Sequence, residues 1–334
     1  MMKKNLLAGI FTALAFSLFA QMQIGRTTYD LQTNNSNCRR MAIDPSGKIV
    51  ATYTRSYEFS SSFNDRGTGY NYSDDNGATW QTSTFPGTFS RPDTGRTGWP
   101  NPVFTNNKEV IISHFAASAG APAHETGLQV LRRDIGSTGA WEKLILNSAN
   151  ATNTANNAYA NDATWARAAS NGDSIFVIFG LIDTDMPGMT GGLQMYRSID
   201  AGATWEGPND IPMMNSTNFV ASGGDNYALD INSNGKIAIV LGSYQVEVLT
   251  STDWGATFSK QTVVAINDIN GVPAPLFDAL TGETMDTVDA TDRSYSILVE
   301  DLIDHYKKKN DIELPIAKAE LAAKKAQKLA LQMH

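Results

Sequence analysis

Ser73-Asp74-Asp75-Asn76-Gly77-Ala78-Thr79-Trp80 returns as Ser198-Ile199-Asp200-Ala201-Gly202-Ala203-Thr204-Trp205, and again as Ser251-Thr252-Asp253-Trp254-Gly255-Ala256-Thr257-Phe258. The shared pattern is Ser-x-Asp-x-Gly-x-Thr-aromatic, and a motif that returns along a chain marks a repeat architecture. Its chemistry is that of a turn. An Asp carboxylate accepts hydrogen bonds from the backbone N–H groups of its own turn, and Gly supplies the φ > 0 conformation that other residues resist. The Thr hydroxyl ties the far side, and the aromatic ring adds buried area between strands. Asp75, Gly77, Trp80, Asp200, Gly202, Trp205, Asp253, Gly255 and Phe258 are therefore read as structural. Calcium is the competing reading, because Asp74, Asn76 and Gly77 echo part of an EF-hand loop. That loop needs an acid where Tyr72 stands and a Glu where Ser83 stands. No metal and no cofactor is expected.

Outward from each octamer the same plan recurs. Ile49 to Tyr53, Val110 to Phe115, Ile175 to Phe179 and Ile237 to Leu241 are apolar strand runs, each entered through a polar turn. The turn residues Gly47, Asn107, Gly172 and Gly235 are spaced about 60–65 positions apart. Gly127-Leu128-Gln129-Val130-Leu131, nearly identical to Gly192-Leu193-Gln194-Met195-Tyr196, leads into a degenerate copy of the octamer. There Asp134 and Gly136 are kept, Arg132 replaces the Ser, and Gly139-Ala140 intrude before Trp141. Each unit thus reads strand, tight turn, strand, loop, strand, octamer turn, strand. Four antiparallel strands repeated in this way form a propeller blade, whereas a β-sandwich has no reason to repeat one turn chemistry at one place.

The octamer resembles the Asp-box of the bacterial neuraminidase repeat (BNR) proteins of the sialidase-like superfamily. The resemblance implies an all-β Asp-box β-propeller, and places the boxes on the face away from the ligand. Four four-stranded blades are expected at about 38–88, 96–148, 160–213 and 224–266 within a propeller over 38–301. A partial fifth is expected at 286–301, where Asp289 to Val299 reads as another innermost strand. Residues 302–334, rich in Lys and Ala, read as a short C-terminal helical tail, either a true extension or foreign sequence following a truncation.

Residues 1–20 carry Lys3 and Lys4 before an apolar run from Leu6 to Phe19 and read as a secretory signal peptide, followed by a polar leader at 21–37. Secretion or a periplasmic location follows, with no membrane span after cleavage. Cys38 is the lone cysteine, so no internal disulfide is expected. The net charge of -8 argues against a nucleic-acid partner, which needs a basic face, and none is expected. The four histidines show no metal-ligand spacing, and no Gly-x-Ser-x-Gly elbow is present.

In a propeller, the segments just before the innermost strands open on the central channel. Here they hold Arg40, Arg96, Trp99, Trp165, Arg167, Tyr227, Arg293 and Tyr295. Guanidinium groups beside aromatic rings suit a sugar: the cations bond hydroxyls or an acid, and the rings stack on C–H faces. The plainer alternative is that the charges are solvated or paired and the tryptophans pack between blades. Sialidases hold a carboxylate with three arginines and use an Asp as acid/base. Arg40, Arg167 and Arg293 are candidates for the first role and Asp162, Asp225 or Asp289 for the second, with no specific motif fixing any of them. The family's Arg-Ile-Pro segment is absent, since the matching place reads Cys38-Arg39-Arg40-Met41. The leading expectation is non-catalytic recognition of an extracellular carbohydrate or glycoprotein at the channel mouth. The alternatives are a sialidase-like glycoside hydrolase and a structural scaffold without a small ligand.

Overall fold

A computed structural model describes residues 23–29, 31–32, 39–59, 62–81, 91–118, 121, 125–219, 221–222, 226–242 and 246–264. The expected signal peptide, the partial fifth blade and the C-terminal tail lie outside the described residues. The chain divides by its internal contacts into two units, one ending at Gly235 and one starting at Lys236.

The first unit holds three antiparallel sheets. In the first, β1 (Met41–Ile43), β2 (Ile49–Arg55) and β3 (Gly67–Ser73) lie in chain order. The second adds strands in the same way: β4 (Arg96–Phe104), β5 (Lys108–Ala116), β6 (Thr126–Asp134) and β7 (Glu142–Leu146). A short helix α1 (Asn157–Asn161) precedes the third sheet. That sheet pairs β8 (Ala163–Asn171) with β9 (Ser174–Leu181); after the two-residue β10 (Thr190–Gly191), β11 (Leu193–Ser198) and β12 (Glu206–Asp210) follow outward. β13 (Ala221–Ser222) pairs in parallel with β10, and β14 (Tyr227–Ile231) ends the unit's strands. Consecutive first strands meet, β4 against β8 and β8 against β14, so the sheets follow one another radially in a propeller-like arrangement. In the second unit β15 (Ile237–Gly242), β16 (Val246–Ser251) and β17 (Ser259–Val264) form an antiparallel meander.

Sequence pattern explains which strands are central. A strand covered on one face alternates, whereas one covered on both reads as a continuous apolar run. Ile175 to Phe179 and Val110 to Ile112 are such runs, and all eight side chains have no exposed surface. Each large apolar side chain buried in this way contributes about 1.5–3 kcal/mol. Between the first two sheets the core is partly ionic. Tyr70 packs with Val50, Ile111 and Leu131, and its hydroxyl donates to Glu109 at 2.9 Å. Glu109 also pairs with Arg133, and with Lys48 at 3.6 Å, although all three side chains are buried.

The stretch expected as a polar leader is in part structural. Gln32 Nε2 donates to the Thr54 carbonyl at 2.8 Å while Gln32 Oε1 accepts from Thr54 N at 3.0 Å. Thr28 N donates to the Ser56 carbonyl at 2.8 Å, and Tyr29 is buried. Its polar side chains and backbone thus supply partners to the main chain at the end of β2 and just beyond it, a use that polarity alone does not reveal.

The three full octamers fold identically. Gly77, Gly202 and Gly255 take φ of 87°, 79° and 81°, each preceded by a residue that is also left-handed: Asn76, Ala201 and Trp254. Asp75 Oδ1 accepts from Thr79 N at 2.8 Å and Oδ2 from Thr79 Oγ1 at 2.6 Å, while Ser73 Oγ accepts from Gly77 N at 2.8 Å. Asp200 and Asp253 repeat this set. The degenerate copy does not. The Asp134 carboxylate pairs with Lys108 at 2.9 Å instead of stapling its own turn; Arg132 brings no Ser hydroxyl, and Gly139-Ala140 separate Thr138 from Trp141.

These bonds set an acid limit on stability. The Thr79 bonds hold Asp75 down to about 2, and the Thr257 bonds do the same for Asp253. An unfolded Asp titrates near 4. The folded values are depressed, so this stabilisation is complete above about pH 4 and is lost as pH falls through about 2. Thermal unfolding followed by circular dichroism is expected to show a midpoint that drops across that window. Asp75→Asn should flatten the drop, and an unchanged slope would remove the octamers from acid sensitivity.

Candidate ligand-binding site

Strands β4 and β8 share one irregularity. Their pairing shifts register between Gly98 and Asn101, and between Thr164 and Arg167. The bulged residues include Trp99 and Trp165, with φ of 51° and 45°. A left-handed conformation is strained for a bulky side chain, by about 1–3 kcal/mol, and persists only where the surroundings enforce it. Bulges of this kind re-aim side chains. The enforcing contacts are visible. Trp99 N donates to Thr54 Oγ1 at 3.0 Å, and Asn101 Nδ2 bridges the two bulges by donating to the Trp99 and Ala166 carbonyls at 2.9 and 2.6 Å. The Trp165 carbonyl accepts from Tyr227 Oη at 2.7 Å and from Arg167 Nη1 at 2.8 Å. The sequence reading put these residues in loops ahead of the innermost strands. Instead Arg96 begins β4, and Trp99, Trp165 and Arg167 lie inside strands, because a bulge lets a strand continue past the extra residues.

Around the bulges the expected residues converge. Trp99 packs with Tyr29, edge to face at 5.7 Å, and Phe63 and Trp165 close over the pair. Arg167 lies over the Tyr227 ring at 5.0 Å, and Arg40 Nη1 donates to the Pro100 carbonyl at 2.9 Å. Trp99, Arg167 and Tyr227 are buried and form the floor; Arg40, Arg96 and Trp165 remain partly exposed. The plainer alternative therefore holds for part of the set: Trp99 is a core residue that also backs the site.

Sequence reasoning missed Arg66 and His114. Arg66 is buried against Trp99 and Tyr29, its Cζ standing 5.3 and 5.4 Å from their rings. Its guanidinium donates to the Thr97 carbonyl at 3.0 Å, to Tyr29 Oη at 3.4 Å and to His114 Nε2 at 2.9 Å. Arg96 reaches the Ser62 carbonyl at 3.2 Å. Among the described residues neither Arg66 nor Arg96 has a carboxylate partner. Arg96 Nε and Trp99 Nε1 are buried without a hydrogen-bond partner among the described residues. Burial and the charges of Arg66, Arg96 and Arg40 hold His114 well below its usual pKa. The cluster therefore gathers several cations around aromatic rings with a neutral imidazole, an arrangement suited to a flat anionic group. No motif surrounds Arg66, which ends the loop before β3, so nothing in the sequence marked it.

Asp162 is occupied elsewhere. Its carboxylate accepts from the backbone N–H groups of Ile182, Asp183 and Thr184 at 3.0, 3.0 and 2.8 Å and fastens the segment after β9. Burial raises its pKa above the ordinary carboxylate value despite those bonds. Asp225, Asp289, Arg293 and Tyr295 lie outside the described residues. No group of three or more potential metal ligands occurs among the described residues. A cavity of ≈ 820 Å³ lies at the other ends of the first strands, where Ile43, Pro45, Phe104, Asn106 and Gly172 line it. It contains none of the expected ligand-binding residues.

No protein-family model matches the chain, and no curated protein does. Solved structures resemble it distantly. A family 117 glycoside hydrolase from the marine bacterium Zobellia galactanivorans is 14% identical, with a TM-score of 0.44 over 68% of this chain and 69% of its own. A Trypanosoma rangeli sialidase in complex with the inhibitor DANA is 16% identical, with a TM-score of 0.43 over 66% of this chain and 37% of its own. The NanB sialidase from Streptococcus pneumoniae is 12% identical, with a TM-score of 0.46 over 72% of this chain and 53% of its own. The chain thus spans about a third to a half of the two sialidases. None of the three transfers a residue role to it.

Proposed function

We propose that this chain is an exported Asp-box (BNR-type) propeller protein that recognises a carboxylated sugar of an extracellular glycan or glycoprotein without cleaving it. One observation carries the reading: Arg66 stands against the ring cluster with the charge of Arg96 nearby, and neither has a carboxylate partner among the described residues. A buried cation without a counter-ion is costly, and an incoming carboxylate supplies the missing charge through paired N–H donors. Trp165 and Phe63, both partly exposed, offer faces for the C–H surface of a sugar ring.

Hydrolysis is the second reading. It draws on Asp162, whose carboxyl is raised by burial, the direction a general acid needs. The three backbone donors on that carboxylate argue against it, since a general acid must turn its proton toward a leaving group. A glycan array carrying sialylated, uronic-acid and neutral sugars, read for both retention and released sugar, separates the two. Retention on carboxylated glycans without release is the expected result. Release that disappears in Asp162→Ala would establish hydrolysis, and retention on no sugar would leave only a scaffold.

A further inference from the structure

His114 holds Arg66 in a way the sequence did not suggest. An arginine has only donors, so in the 2.9 Å contact between Arg66 Nη2 and His114 Nε2 the imidazole must be the acceptor. Nδ1 then carries the proton and donates to Thr164 Oγ1 at 3.2 Å. The ring lies tilted against Trp99 with centroids 4.9 Å apart. Gly98 leaves the space for this arrangement: a Cβ there would stand 2.6 Å from His114 Nε2 and 3.3 Å from Arg66 Cζ. Among the described residues, the acceptors on the Arg66 guanidinium are therefore all uncharged: a carbonyl, a phenol and a neutral imidazole.

We propose that His114 is a positioning residue, a neutral acceptor that fixes the Arg66 guanidinium beside Trp99 while leaving its charge for an anionic ligand. The proposal rests on the carboxylated-sugar reading and adds the residue that sets the site's selectivity for charge. A carboxylate at this position would hold Arg66 equally well but would neutralise it. An imidazolium would have no lone pair to offer and would add a like charge beside Arg66, Arg96 and Arg40. A ring kept neutral by its burial and by those same arginines satisfies both demands.

The test compares three variants on the full chain, with N-acetylneuraminic acid and glucuronic acid as probes and glucose as the uncharged control. His114→Ala should weaken binding of the acids by about tenfold, because Arg66 loses a holder. His114→Gln, whose amide can accept from Arg66 and donate to Thr164, should recover most of that loss. His114→Glu should lose at least as much as His114→Ala, although its thermal midpoint stays equal to that of His114→Gln or exceeds it. Equal binding by the Gln and Glu variants would overturn the proposal while leaving the carboxylated-sugar reading intact. If the wild-type chain binds neither acid, that reading falls, and the positioning role for a ligand falls with it. The ¹⁵N shifts of His114 in the free protein provide the separate check. Protonation at Nδ1 alone at pH 7 is expected, and a ring protonated at Nε2 would overturn the proposal whatever the sugars do.

Discussion

Glu109→Ala is expected to lower the free energy of unfolding by about 3–5 kcal/mol, the range for breaking a buried ion pair by removing one partner. The effect comes from what stays behind. Arg133 and Lys48 are both buried, and Glu109 is the acid they share. Lys48 has a second, weaker recourse in the exposed Asp74 at 3.8 Å. Among the described residues Arg133 retains the Tyr70 hydroxyl at 2.8 Å and the faces of Trp141 and Tyr70, 4.2 and 5.1 Å from its Cζ. Those contacts can soften a stranded charge but cannot balance it. The Tyr70 hydroxyl also loses its acceptor at 2.9 Å. Glu109→Gln should cost most of the same amount, since an amide restores the acceptor and not the charge. Chemical denaturation of Glu109→Leu, Arg133→Met and the double variant decides the matter. The double variant should be more stable than the sum of the single losses, because it removes both charges together. Single losses below about 1 kcal/mol, or strict additivity, would show that this network does not hold the first two sheets together.

This network and the site differ in how far the sequence foretold them. The octamers were legible because each is a local device: Ser, Asp, Gly and Thr within one turn make the same bonds in all three copies. The strand runs were legible because middle strands buried on both faces need no polar residue. The limits of local reading show at Asp134. Its spacing fits the motif, yet its carboxylate follows the nearer charge of Lys108. For the site, strand order places Arg40, Arg96, Trp99, Trp165, Arg167 and Tyr227 together, so a repeat-based reading could gather them without coordinates. Two features stayed hidden. The bulges at Trp99 and Trp165 depend on Asn101 bridging two strands, a contact between positions 65 residues apart in sequence. Arg66 and His114, 48 residues apart, acquire their meaning from each other and from Gly98, which leaves room for both. Neither pair leaves a trace in composition or spacing. The same holds for Gln32, whose polarity signals a loose leader and whose amide in fact pairs with both backbone groups of Thr54.

Arg66→Ala is expected to weaken binding of a carboxylated sugar by about 30-fold to 1,000-fold, which corresponds to about 2–4 kcal/mol. Two properties place this residue above its neighbours. It is buried beside Trp99 and Tyr29, so its charge is poorly screened by solvent. It also makes no ion pair among the described residues, so a ligand carboxylate need not displace a protein one. Arg96 shares the second property but is more exposed, and Arg96→Ala should lose less, about tenfold. Arg66→Lys should recover little of the loss, since an ammonium cannot offer the paired donors of a guanidinium or span the Thr97 carbonyl, Tyr29 and His114 together. Binding of the free acid by calorimetry at two salt concentrations separates this account from a general surface attraction. Removing a screened surface cation would lower the salt dependence and change affinity only slightly at high salt. Removing Arg66 should cost nearly the same factor at both concentrations. Should Arg66→Ala bind the acid as tightly as the wild-type chain, the carboxylate does not meet this guanidinium, and the ring cluster would be what remains of the site.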